Sequence, residues 1–153
     1  MLLPSFSFLP MKKIGSWFIK NSLFIAWIQA LVGMVVSLYF SEILHYAPCD
    51  LCWYQRILLY PLAIILAVGI LKKDHHLYSY VMPFGVLGMI VAFYHYLLQM
   101  GVIPENLAPC VSGISCKTSY FTLFGFINIP LLSFVAFAVI TVCVFLFHKF
   151  FSK

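Results

Sequence analysis

Charge is what this sequence has least of. Only 8% of its 153 residues are charged, and just four are acidic, where a soluble domain carries about a quarter charged residues. Together with 64% hydrophobic residues and a mean hydropathy of +1.06, this excludes a water-soluble domain. Internal repeats and low-complexity tracts are also missing, which excludes solenoids and disordered linkers. The first apolar run, after Lys20, is longer than a secretory leader core and lacks a small-residue cleavage site, so it reads as an anchor.

The few charges are clustered, and the gaps between clusters are long enough to cross a bilayer. Lys12, Lys13 and Lys20 precede the first apolar run, Lys72 and Lys73 divide the second from the third, and Lys149 and Lys153 follow the last. Glu42, Asp50 and Glu105 lie in the other two connections, with only Arg56 and Lys117 as basic company. That alternation predicts an even number of spans with both termini cytoplasmic. The net charge of +5 therefore orients the chain in the lipid bilayer and implies no nucleic acid.

Spans are expected at about 21–41, 51–71, 77–100 and 129–147, each near the 20 residues a crossing helix needs. Residues 1–20 form a cytoplasmic segment, of which 1–10 read as a dispensable extension, and residues 21–153 form one domain. The fold class is an all-α membrane protein, a four-helix bundle with two extracytoplasmic loops. Gln29, polar within the first span, is expected to make an interhelical hydrogen bond. Asn128 is expected to cap the fourth span, with Pro130 in its first turn. The aromatic run from Tyr120 to Phe126 suits the membrane interface.

Five cysteines carry the chemistry. Cys49, Cys52, Cys110 and Cys116 fall on the side away from the lysines, where disulfides persist. Cys143 lies inside the last span and reads as a small packing residue. The outer four admit three readings: two structural disulfides, a four-cysteine zinc site, or two exchanging disulfides. An oxidising compartment disfavours the zinc site, and the adjacent His75 and His76 lack further ligands nearby, so no metal site is expected. Closing a three-residue spacing stabilises little through loop entropy, which adds weight to exchange. A helix starting at Leu51 puts Cys49, Cys52 and Arg56 on one face, where the helix N-terminus and the guanidinium favour a thiolate. Arg56 lies about 6 Å along the helix from Cys52. His95 and Gln99, one turn apart on the third span, reach a similar depth, and all three are expected to converge below Cys49 and Cys52. Such a set could hold the carbonyl oxygens of a membrane quinone and stabilise its reduced form.

These residues carry a resemblance. Cys49-Asp50-Leu51-Cys52 with Arg56, the segment from His95 to Gln99, the Cys110 and Cys116 pair, and Gly125 to Pro130 resemble the disulfide-bond formation protein B (DsbB) family, in its short-loop BdbC-like branch. The resemblance covers the chain from about Lys12 onward. Longer family members separate the second cysteine pair widely, whereas five residues intervene here. The resemblance implies a bacterial cytoplasmic-membrane oxidoreductase that reoxidises an extracytoplasmic thioredoxin-fold thiol oxidase of the DsbA or BdbD kind. Electrons would pass to ubiquinone or menaquinone and leave through the respiratory chain as quinol. It further implies that the partner attacks a Cys110–Cys116 bond at Cys110, that Cys116 passes the electrons to Cys49 and Cys52, and that Cys52 delivers them with Arg56 stabilising the charge. The other classes compatible with the pattern are a non-catalytic tetraspan protein with structural disulfides and a vitamin K epoxide reductase-like enzyme. The latter is expected to carry its Cys-x-x-Cys late in the bundle.

Overall fold

The computed structural model describes residues 17–74, 76–104, 106, 110, 115–117, 122–123 and 126–151. The expectations for residues 1–10, for His75, and for most of the 107–125 stretch fall outside these residues.

Four helices are long and apolar enough to cross a membrane. Helix α1 covers Ser22–Leu38 and continues as one π-helical turn over Tyr39–Ile43. Helix α2 covers Asp50–Lys72, α3 Leu77–Gln99, and α4 Ile129–Phe151. Pro61 and Pro83 sit inside α2 and α3 without ending either helix. Each helix packs against two others, in the ring α1–α2–α3–α4. Short connections from α1 to α2 and from α2 to α3 enforce the up-and-down order of the first three helices, and a longer stretch after Gln99 leads to α4. Lys73, in the left-handed conformation, closes α2 while the Asp74 amide donates to the Gly69 carbonyl at 3.0 Å; such a cap ends a helix sharply.

In lipid, helices associate through close packing rather than water exclusion, so small residues gather where backbones approach. Gly85 and Gly88, on one face of α3, meet Thr141 and Phe137 of α4, and a Cβ at Gly88 would collide with the Phe137 ring. Ala26, Ala30, Leu62, Leu66, Val81, Ala92, Phe137 and Ile140 fill the centre of the bundle. Ile28, Ile57, Ile64 and Leu71 face outward, as an exterior solvated by lipid chains permits.

Among the described residues, the one departure from an all-α chain lies before α4. Strand β1 (Thr122–Leu123) pairs antiparallel with β2 (Ile127–Asn128). Strands of two residues carry too little periodicity to be read from sequence. Asn128 then caps α4 as expected, its Oδ1 accepting from the Leu131 amide at 3.1 Å.

Candidate functional site

Cys49 is the last extended residue before α2 (φ −74, ψ 170), and its carbonyl accepts from the Trp53 amide at 3.1 Å. Cys52 lies one turn in, so the two sulfurs come to 2.9 Å and are hydrogen-bonded as thiols. Cys110 and Cys116 form a disulfide, with Cα atoms 6.2 Å apart, an ordinary separation for such a bond. Both pairs share one apolar cluster with Leu51 and Leu98. Within it Cys116 is fully buried and Cys49 nearly so, while Cys110 and Cys52 are half-buried.

His95, buried in the penultimate turn of α3, ties the pairs together. Its Nε2 lies 3.2 Å from the Cys116 carbonyl oxygen and 3.7 Å from Cys49 Sγ. A carbonyl can only accept, so Nε2 carries the proton and donates towards both. Nδ1 is 3.0 Å from Gln55 Nε2, which donates to it. Gln99, one turn on, brings its amide nitrogen to 3.5 Å from the same Cys116 carbonyl. The Cys49 thiol is held well below the usual thiol range, first by the hydrogen bond from Cys52 and then by His95, against the opposing effect of burial. A helix N-terminus acts in the same direction.

Cys49, Cys52 and His95 have their ligand atoms within 4.8 Å of one another, enough to consider a metal. With Cys110 and Cys116 joined as a disulfide, the four-cysteine arrangement is not assembled here.

Arg56 does not join His95 and Gln99, contrary to the expected convergence. Its Nε donates to Ser37 Oγ at 2.9 Å and its Nη2 to the Ser37 carbonyl at 3.0 Å, while Tyr60 donates to the same hydroxyl at 3.3 Å. The guanidinium carbon stands 5.4 Å from the centre of the Trp53 ring. Consecutive helical residues point about 100° apart, so Gln55 turns to α3 when Arg56 turns to α1. Gln55 and Ser37 are the residues that sequence reasoning missed. A neutral amide beside the arginine at the mouth of a span was the available signal for Gln55; Ser37 offered none.

On the Arg56 side a cavity of about 330 Å³ opens between α1, α2 and α4, lined among others by Gln29, Gly33, Ser37, Cys52, Arg56 and Phe137. Its walls are otherwise mainly apolar. Gln29 makes no interhelical hydrogen bond among the described residues, against expectation, and faces this cavity instead. Cys143 packs beside the apolar core in α4, away from the other four cysteines.

The family model described as disulfide bond formation protein DsbB matches residues 20–147. The chain belongs to the DsbB family. Among the relatives of this DsbB-family protein, "Disulfide bond formation protein C" of Bacillus subtilis is 44% identical over 120 residues, covering 78% of this chain and 87% of its own. "Probable disulfide formation protein C" of Halalkalibacterium halodurans is 43% identical over 125 residues, 82% and 91% of the two chains. "Probable disulfide formation protein" of Metapseudomonas resinovorans is 36% identical over 130 residues, 84% and 90%. No solved structure matches. As a DsbB-family member the protein is a multi-pass membrane disulfide oxidoreductase, and its two cysteine pairs lie where the matched segment carries them.

Proposed function

We propose that this protein reoxidises an extracytoplasmic thioredoxin-fold thiol oxidase and passes the electrons to a membrane quinone. The supporting observation is the division of labour around the start of α2. Cys49 is buried in the apolar cluster of Cys110 and Cys116 and is bridged to the Cys116 carbonyl by His95, whereas Cys52, at the edge of that cluster, also lines the cavity that holds Arg56.

The partner's thiolate attacks Cys110, the more accessible sulfur of its pair, and releases Cys116 as thiolate. The partner's second thiol then displaces Cys110 and leaves as a disulfide. In the oxidised protein Cys116 attacks Cys49, whose sulfur shares its apolar cluster, and Cys52 departs as a thiolate into the cavity. Cys110 resolves the Cys49–Cys116 bond. Two electrons and two protons leave the partner and convert quinone to quinol, while Cys49 and Cys52 return to the disulfide. His95 donates to whichever sulfur carries charge near Cys116, and Arg56 supplies positive charge where Cys52 and the quinone oxygen become anionic. The cavity fits a quinone head: it is mainly apolar, reachable from lipid between helices, and has a cation at its outer end. The lysine-rich ends of the bundle lie in the cytoplasm and the cysteines outside, in the bacterial cytoplasmic membrane.

The deciding experiment is anaerobic addition of a short-chain quinone to purified, fully reduced protein. Loss of thiols with formation of quinol in equal equivalents is expected. Thiols that persist beside unreduced quinone overturn the proposal.

A further inference from the structure

The cavity has a polar group at each end. Arg56 and Ser37 mark the outer end, and Gln29 marks the inner. Ser37 and Gln29 are eight residues apart on α1, about 12 Å along the axis at 1.5 Å per residue. Between them sits Gly33, where α1 packs closely on α2; a Cβ there would come to 2.9 Å from Leu59 Cδ2. Two other buried polar side chains of the bundle are satisfied. Thr141 donates to the Phe137 carbonyl at 2.7 Å and Gln55 to His95 at 3.0 Å. Gln29 has no hydrogen-bond partner among the described residues, and an unpaired amide in an apolar surround is costly. Its place in the cavity wall points to a ligand that supplies the partner.

A ligand that meets Gln29 at one end and Arg56 at the other carries an acceptor at each end. A para-quinone has carbonyls pointing in opposite directions, and with a hydrogen bond of about 2.9 Å at each end it needs donors roughly 11 Å apart. We propose that Gln29 is the second recognition pole of this cavity, its amide donating to the quinone carbonyl remote from Arg56. A para-quinone then lies lengthwise between α1, α2 and α4. Arg56 addresses the oxygen near Cys52, and Gln29 fixes the opposite oxygen and hence the depth and tilt of the ring. The inference rests on the quinone reading above. Gln29 is a positioning residue: it touches the substrate but stands far from the reacting sulfur.

The test uses two probes on the purified full-length protein in detergent. One is a short-chain para-benzoquinone. The other is a ring analogue with a single carbonyl, used as a competitive inhibitor. Gln29→Leu removes the donor at similar volume, and its thermal unfolding and thiol count establish that it is folded. Losing one neutral hydrogen bond should raise KM for the para-quinone about three- to tenfold, with inhibition by the single-carbonyl analogue unchanged. Gln29→His, which keeps an N–H donor, should recover part of the affinity. If the wild type reduces quinone and Gln29→Leu has the same KM, Gln29 is a packing amide and this inference alone falls. It falls in the same way if Gln29→Leu weakens both probes equally. If the wild type does not transfer electrons to para-quinone at all, the quinone reading falls and takes this inference with it.

Discussion

Replacing Ser37 with alanine should slow quinone reduction about tenfold, with Arg56 still present. The guanidinium makes two hydrogen bonds to this residue, at 2.9 Å to its hydroxyl and 3.0 Å to its carbonyl. Alanine deletes the first and keeps the second. A hydrogen bond to a charged group contributes about 1.5–3 kcal/mol, but the retained carbonyl and the Trp53 ring limit how far Arg56 can drift, and a cation over an aromatic face adds about 0.5–1 kcal/mol of restraint. The lower end of the first range is therefore the relevant one, and about 1.4 kcal/mol corresponds to a factor of ten. Removing the charge itself with Arg56→Met should cost roughly 10²–10³-fold. Arg56→Lys, which keeps charge but not the planar fork, falls between. The assay is quinone reduction at varied quinone concentration, beside single-turnover oxidation of the reduced partner without quinone, which none of these substitutions should slow. Wild-type quinone kinetics in Ser37→Ala, alongside a defective Arg56→Met, would show that Ser37 does not position the guanidinium. Unchanged kinetics in both would return Arg56 to an ordinary residue at a helix end.

Three further outcomes are expected. A partner whose second cysteine is replaced by Ser should accumulate on Cys110 as a mixed disulfide, identified by peptide mapping, because no partner thiol is left to displace it; accumulation on Cys49 or Cys52 would reverse the assigned order. Under mild oxidation Cys52→Ser should form a Cys49–Cys116 cross-link faster than Cys49→Ser forms Cys52–Cys116, because Cys49 faces the loop and Cys52 the cavity; equal rates would refute that division. Because the Cys49 pKa is depressed below the ordinary 9.0, the reduced folded state gains stability that is complete above that value and lost as pH falls towards the lowered pKa. Alkylation of Cys49 should accordingly stay fast through neutral pH and slow only in acid, and His95→Leu should move that decline to higher pH. An unmoved profile in His95→Leu would assign the depression to Cys52 alone.

The bundle was legible because its signal is coarse. Apolar runs delimited by Lys20, Lys72–Lys73 and Lys149 fix span number and approximate ends, and Asn128 marks the start of α4 through its own side-chain chemistry. The rotation of each helix was not legible. A soluble helix advertises its buried face by an apolar stripe, but α2 and α3 are apolar all round, since one side meets lipid and the other meets protein. Depth alone therefore placed Arg56, His95 and Gln99 together. The structure agrees on depth and differs on direction, sending Arg56 to Ser37 and leaving Gln55 to meet His95. The β1–β2 pairing was hidden for the other reason, a span too short to show any period.

The direction matters because it gives the two cysteines at the start of α2 different surroundings. Cys49 sits at the start of α2 in a buried network of imidazole, amide and carbonyl, within the apolar cluster that also holds Cys116. Cys52, three residues on, opens into an apolar cavity that water-borne thiols of a partner cannot readily enter. Had Arg56 joined His95, the cation would stabilise charge on the loop side and leave the cavity without an electrophilic end. With Gln55 and Arg56 pointing apart, each sulfur of the pair has its own charge-stabilising group. On the proposed route electrons pass from the Cys110–Cys116 pair through Cys49 and Cys52 to the cavity side by successive thiol–disulfide exchanges.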